Sequence, residues 1–191
     1  MISKAIGFLT EFLNRHLKLT CGLDHDIVVA SNLVNPDGSI TENIQDKIVV
    51  SVINMEQETY MKSHNHYMTD GGDSFRKAAP PVHLNIHLLI SANYNSKKYL
   101  EALKMLSSVI TTLQSYPFFI KQEHPDMQDP LSKLTLEFMN LPVNELSNIW
   151  NGIGTKYVPS ILYKMRIITL EDTKMRKEIP GITGLEGETE S

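Results

Sequence analysis

The sequence predicts an α+β fold in which helices flank a mixed, mainly antiparallel sheet. Residues 2–19 and 96–115 carry apolar side chains at intervals of three or four, which is typical of amphipathic helices. Several other runs are rich in alternating β-prone residues. These strand-like runs do not alternate strictly with helices, and hairpin-like neighbours outnumber crossovers, which favours α+β over α/β. We expect the helices to share one face of the sheet.

The first part of the chain predicts one helix and two strands. We expect Gly22 to follow the end of helix 2–19, because glycine readily adopts the left-handed conformation that ends helices. Residues 27–34 form a short β-prone run, and Asn35-Pro36-Asp37-Gly38 after it has the composition of a turn. Residues 47–58 predict a long, largely buried strand.

The middle of the chain predicts a long loop, a strand and a second helix. Residues 63–81 have low complexity and offer little to bury, so we interpret them as a loop. The run 82–88 alternates strictly, with apolar residues continuing to Ile90 on one face. Ser96 is the expected N-cap of helix 96–115. The predicted apolar stripe of that helix comprises Tyr99, Leu103, Leu106, Ile110 and Leu113.

The last part predicts an edge segment at 116–120, strands at 131–140 and 161–170, and a helix at 143–153 that begins after Pro142. We expect one face of the first strand to be apolar and three side chains of the helix to face inward. These residues are Leu134, Leu136 and Phe138 of the strand and Leu146, Ile149 and Trp150 of the helix. The glycine-spaced remainder predicts an extended tail at 172–191 after one domain at 1–171.

Composition and charge exclude several classes of protein. The net charge of −4 leaves no basic excess for nucleic acid. Cys21 stands alone, so an intrachain disulfide is excluded. No apolar run approaches the roughly 18 residues of a membrane span, and we expect no direct membrane contact. The apolar residues at the N-terminus are too interrupted for a signal peptide, so we expect a cytoplasmic product.

The sequence shows no phosphate-binding loop, dinucleotide fingerprint or nucleophile elbow, so we predict no catalytic residue and no cofactor. The alternative is a metal-dependent hydrolase that uses His64, His66, Asp70 and Asp73. Zinc sites need three or four ligands close to one ion. His83 and His87 lie about 13 Å apart on a strand, too far to share one. We therefore predict no metal site.

Several stretches together resemble a known family, the tail-terminator (cap) proteins of phage-tail-like contractile injection systems of the antifeeding-prophage and virulence-cassette type. The most specific is Glu145 to Gly154, ELSNIWNGIG. The resemblance also rests on residues 1–19, 47–58 (KIVVSVINMEQE), 80–90 (PPVHLNIHLLI), 99–114, Tyr157 and 159–166 (PSILYKMR). It implies a terminator-like α+β fold without a catalytic motif.

The resemblance further implies a structural role. A homohexameric ring would end the inner tube and lock the last sheath layer, so the expected partners are further copies of the chain, the sheath protein and the tube protein. The protein would form part of the assembled particle. A non-ring adaptor for tube or effector proteins is a further alternative. In the extended tail, we expect Ile179, Ile182 and Leu185 to support strand addition to a neighbouring subunit.

Overall fold

The computed structural model describes residues 1–58, 67–69, 74–77, 83–169 and 178–180. Within these residues the chain forms three α-helices and nine strands. The helices are α1 (Ile2–Cys21), α2 (Tyr99–Ser115) and α3 (Val143–Ile153). The strands are β1 (Val28–Ala30), β2 (Lys47–Gln57), β3 (Tyr67–Thr69), β4 (Ser74–Lys77), β5 (His83–Asn93), β6 (Phe118–Ile120), β7 (Leu131–Met139), β8 (Ser160–Thr169) and β9 (Glu178–Pro180).

Six strands form the main sheet, in the order β1-β2-β5-β8-β7-β6. Strand β1 pairs with β2 in parallel, and the other four pairs are antiparallel. A mixed, mainly antiparallel sheet is therefore confirmed. Strands β3, β4 and β9 form a separate antiparallel sheet of three strands.

Helices cover both faces of the main sheet, so the expectation that they share one face is wrong. Helices α1 and α2 pack on one face, in the larger apolar cluster that includes Ile48 and Leu88. On the other face, Trp150 of α3 lies in a second cluster with Val49 and Leu89. Neighbouring residues in β2 and β5 are thus buried on opposite faces. The apolar doublets of these strands supply both cores.

Helix α1 ends as predicted, with Gly22 in the left-handed conformation at φ 66°. Its buried Asn14 holds the start of β1, which is three residues long and so shorter than the run 27–34 suggests. The Asn14 Oδ1 accepts the backbone N–H groups of Ile27 and Val28 at 3.0 and 2.9 Å, and Nδ2 donates to the Val28 carbonyl at 2.9 Å. These bonds occupy the outer edge of β1, where a further strand would otherwise pair.

Helix α2 is rotated relative to the prediction. Its buried side chains are Ala102, Met105, Leu106, Val109, Thr112 and Leu113. Leu106 and Leu113 were expected inside, but Tyr99 and Leu103 are exposed. Ser96 is not the N-cap: Asn95 caps a short 3₁₀ turn (Ser96–Lys98), where its side chain accepts the Lys97 N–H, and α2 follows this turn with Lys98 at its N-cap position. The apolar residues of this helix span a wider arc than the core covers.

The remaining predicted elements are mostly confirmed. The turn at 35–38 closes through a bond from the Gly38 N–H to the Asn35 carbonyl at 2.9 Å. Helix α3 has the predicted bounds, and Trp150 is only 4% exposed. Leu134 and Leu136 are buried, but Phe138 is exposed near the end of β7. There its ring meets Tyr163 edge-on, with centroids 5.4 Å apart.

The interpretation of residues 63–81 as a loop is wrong for β3 and β4. These strands pair with each other, and β4 also pairs with β9. Strand pairing satisfies backbone groups whatever the side chains are, so low apolar content did not exclude it. The metal-ligand alternative, His64, His66, Asp70 and Asp73, lies outside the described residues.

Candidate assembly interface

Strand β2 has an open outer edge. Strand β1 pairs only with Ile48–Val50, whereas β2 continues to Gln57. Within the described residues, no strand pairs with this side of β2 from Val52 to Gln57. Val52 and Met55 are exposed along it. An unpaired edge with apolar side chains is a template for another chain.

Two local features restrain this edge. A register shift between Val52 and Asn54 marks a β-bulge in the pairing with β5, and bulges twist an edge and change the direction of its side chains. The Asn54 Oδ1 also accepts the Met55 N–H at 2.9 Å, while its Nδ2 donates to Glu56 Oε1 at 2.8 Å. The edge is therefore open but partly protected against indiscriminate pairing.

A groove of about 650 Å³ lies beside this edge, between α3 and the sheet. Its apolar lining includes Val52 and Ile53 of β2, Met139 of β7, and Ile149 of α3. Its polar lining is given by Asn54, His87, Glu145 and Asn148. A largely apolar groove with a few polar groups at its border is suited to a protein segment as well as to a small molecule.

Helix α3 forms one wall of the groove and is held rigidly. It begins after Pro142 and ends at Gly154, whose φ of 79° is the left-handed conformation. Trp150 packs into the second cluster and meets Tyr157 edge-on, with ring centroids 5.6 Å apart. Leu146 and Ile149 are partly buried beside it, as predicted. The wall is thus anchored on its inner side, and Ile149 also reaches the groove.

A strip of charged side chains continues from the groove across the same face of the sheet. Lys164 Nζ lies 2.8 Å from Glu137 Oε2, and Arg166 Nε lies 3.5 Å from Glu58 Oε2. Asn85 Nδ2 donates to Glu58 at 2.9 Å. Lys164 and Arg166 alternate in β8 with the buried Tyr163, Met165 and Ile167 of the opposite face. This part of the face is polar and internally paired.

A second surface lies on the outer side of α2. Leu100 is 80% exposed, Tyr99 54% and Leu103 37%. A network at the start of this helix holds it to the sheet: Asp46 Oδ1 accepts the Asn95 N–H at 3.1 Å, and Asp46 Oδ2 meets Lys98 Nζ at 2.8 Å. The hydrogen bonds from Lys98 and from the Asn95 N–H lower the pKa of the Asp46 carboxyl. The Asp46 carboxylate in turn raises the pKa of Lys98.

The predicted interaction residues are only partly described. Ile179 lies in β9, opposite Phe75 in the backbone register with β4. Ile182 and Leu185 lie outside the described residues. His83 and His87 both lie on β5 as predicted. Within the described part of the chain, no group of three or more His, Cys, Asp or Glu side chains is placed to hold a metal, and no helix is long and apolar enough to cross a membrane.

The β2 edge and the groove were not predicted from the sequence. The available signal was the run of neighbouring apolar residues, Val49-Val50 and Val52-Ile53, in the strand predicted at 47–58. Such doublets indicate a strand covered on both faces. The end of β1 and the position of α3 decide which of these residues stay uncovered, and neither can be read from the strand itself.

The overall fold of this chain is that of solved terminators of contractile injection systems. The chain belongs to the family described as the Pvc16 N-terminal domain, whose model matches residues 6–183. The resemblance to tail-terminator proteins and the predicted α+β class are thereby confirmed. No curated protein matches the sequence significantly.

Two solved structures share the fold. One is the PVC sheath/tube terminator of an extracellular contractile injection system in its extended state, with a TM-score of 0.69 and 15% identity over 100% of this chain. The other is the tube-terminating cap of the anti-feeding prophage, with a TM-score of 0.61 and 16% identity over 94% of this chain. The matches span 64% and 59% of those proteins, respectively.

Proposed function

We propose that this chain is a structural cap that terminates the tube and sheath of a contractile injection particle. The observation that carries the proposal is the match of the whole chain to a sheath/tube terminator. The family match over residues 6–183 supports it independently of the coordinates. The role is structural rather than enzymatic.

The proposed working form is a homohexameric ring at the end of the particle distant from the baseplate. Repeated subunits favour closed cyclic symmetry, and a six-fold tube needs a matching end. The proposed partners are other copies of the chain, the last sheath layer and the last tube ring. Assembly would take place in the cytoplasm, and the cap would then remain part of the particle. The exposed apolar edge, groove and helix surface support an assembly subunit, since such patches mark protein–protein contacts.

Deletion of the gene tests the capping role. We expect particles of uncontrolled tube length or unstable sheaths, because further subunits would continue to add or the last sheath layer would detach. Tail lengths are measured on electron micrographs, and a plasmid-borne wild-type copy is the control. Particles of normal length, yield and sheath stability in the deletion strain would contradict the proposal.

We propose separate roles for the domain at 1–171 and the segment at 172–191. Residues from about 174 onward, including Ile179, Ile182 and Leu185, would pair with a neighbouring cap or sheath subunit by strand addition. The backbone at Glu178–Pro180 is extended and pairs on one side with β4 of the same chain. Within the described residues no strand pairs with its other side, which supports the proposed addition.

Truncation after Asp172 tests the role of the segment. The truncated chain loses the pairing of β9 with β4, but it should keep the fold of the main sheet and attach poorly to sheath in a co-sedimentation assay. A truncated chain that still caps tails normally would exclude this role.

A further inference from the structure

We propose that neighbouring subunits of the ring meet head to tail, with the outer surface of α2 on one copy seated in the groove beside α3 on the next. The inference rests on the proposed function and names the two surfaces of its self-contact. The helix surface comprises Tyr99, Leu100 and Leu103, bordered by Lys97 and Lys104. The groove is the one lined by α3 and strands β2, β5, β7 and β8.

The helix surface is an apolar ridge that the subunit itself leaves uncovered. Leu100 points away from the buried Ala102 and Val109, because at about 100° per residue it lies about 200° and 180° around the helix from them. Lys104 lies one turn beyond Leu100 on the same side. Glu101 lies about 100° around the helix from Leu100, on the flank. The outermost part of the ridge is therefore apolar and basic.

The groove has the complementary character. Its floor is apolar, and the groove is bordered by Glu145, the one charged residue in the sequence of α3. Glu56 is exposed on the adjacent edge of β2. A basic apolar helix in an acidic apolar groove is a recurring recognition mode, in which apolar anchors supply affinity and charges select the orientation.

The placement of the two surfaces predicts how the contact propagates. Helix α2 packs on one face of the main sheet and the groove lies on the other. Two different surfaces of one subunit make a heterologous contact, which links copies in series until the rotation closes a ring. A two-fold dimer would instead use one patch twice.

Two blocking variants separate the surfaces. Leu100→Asp places a charge on the helix ridge. Gly152→Arg places a long side chain in the groove, and a Cβ at this glycine meets nothing within 4 Å. Leu19→Asp is the matched control for the first, since Leu19 is also 80% exposed. Gly7→Arg is the control for the second, because its Cβ would also meet nothing within 4 Å.

The masses of the variants are measured by sedimentation, with thermal melts as the check of folding. The wild type and both controls should form rings, whereas each blocked variant should remain a monomer of 21.6 kDa. An equimolar mixture of the two blocked variants should form a dimer of about twice that mass and nothing larger, because one intact contact remains.

Glu145→Lys should weaken the wild-type assembly by at least about tenfold, since a desolvated charge pair contributes on that scale.

The inference would be overturned if Leu100→Asp or Gly152→Arg formed rings, or if the mixture of the two stayed monomeric. It would also be overturned if the wild type stayed monomeric at millimolar concentration. Loss of sheath or tube binding with an intact ring would assign the blocked surface to that partner and would also overturn it. The deletion strain reports on the capping role separately. Normal capping by both blocked variants would leave the proposed function standing and refute this contact.

Discussion

At the scale of single residues, the side chains that matter most join elements distant in the chain. Trp150 fixes α3 to the face of the sheet that α1 and α2 leave free. Asn14 closes the outer edge of β1 through three backbone hydrogen bonds. Asp46 holds the start of α2 through Asn95 and Lys98. Trp150 and Asp46 therefore position α3 and α2, whose surfaces the proposed assembly uses.

Replacement of Trp150 by alanine should lower the free energy of unfolding by about 3–5 kcal/mol, because it removes a large buried aromatic side chain. Equilibrium denaturation measures the effect, and Trp150→Phe, which keeps an aromatic ring, should lose less. An unchanged denaturation midpoint together with lost assembly would show that this residue acts at a surface instead.

Replacement of Asn14 by alanine should cost about 1–3 kcal/mol, because it leaves buried backbone groups of Ile27 and Val28 without partners. Amide hydrogen exchange at these two residues should accelerate more than exchange in β5. The neighbouring exposed Glu11→Ala is the control on the same helix. Unchanged exchange at β1 would argue that Asn14 does not hold this edge.

The Asp46 network predicts a pH dependence. Because the pKa of this carboxyl is lowered in the folded chain, its contribution is complete above its unfolded pKa of about 3.9 and is lost as the pH falls through the folded value. Asp46→Asn should therefore melt at a lower temperature than the wild type at pH 7, with a difference that vanishes at acid pH. Asp24→Asn is the exposed control. A difference independent of pH would contradict this account.

At the scale of elements, the sequence predicted what local chemistry decides. The end of α1 at Gly22 and the bounds of α3 between Pro142 and Gly154 follow from residues whose backbone preferences are strong. The rotation of α2 and the open edge of β2 depend on contacts with α1, β1 and α3, which no local pattern contains. The candidate interface consists mainly of such non-local features, and for this reason sequence reasoning missed it.

At the scale of the whole molecule, two cores on opposite faces of one sheet leave two unlike surfaces exposed, a helix ridge and a groove. A subunit that presents unlike surfaces is suited to directional assembly. The small sheet of β3, β4 and β9 adds a strand from the C-terminal part of the chain to a hairpin from its middle. The helix ridge and the groove are the two surfaces that the proposed ring contact joins.

The central claim is that this chain caps a contractile particle as a six-fold ring, and electron cryo-microscopy of purified particles tests it most directly. Particles are compared from the wild type and from a strain complemented with a chain that carries an N-terminal affinity label. The account predicts six copies of this fold at the end distant from the baseplate, in contact with the last tube and sheath layers. A ring of different symmetry, or density for this chain elsewhere in the particle, would contradict it.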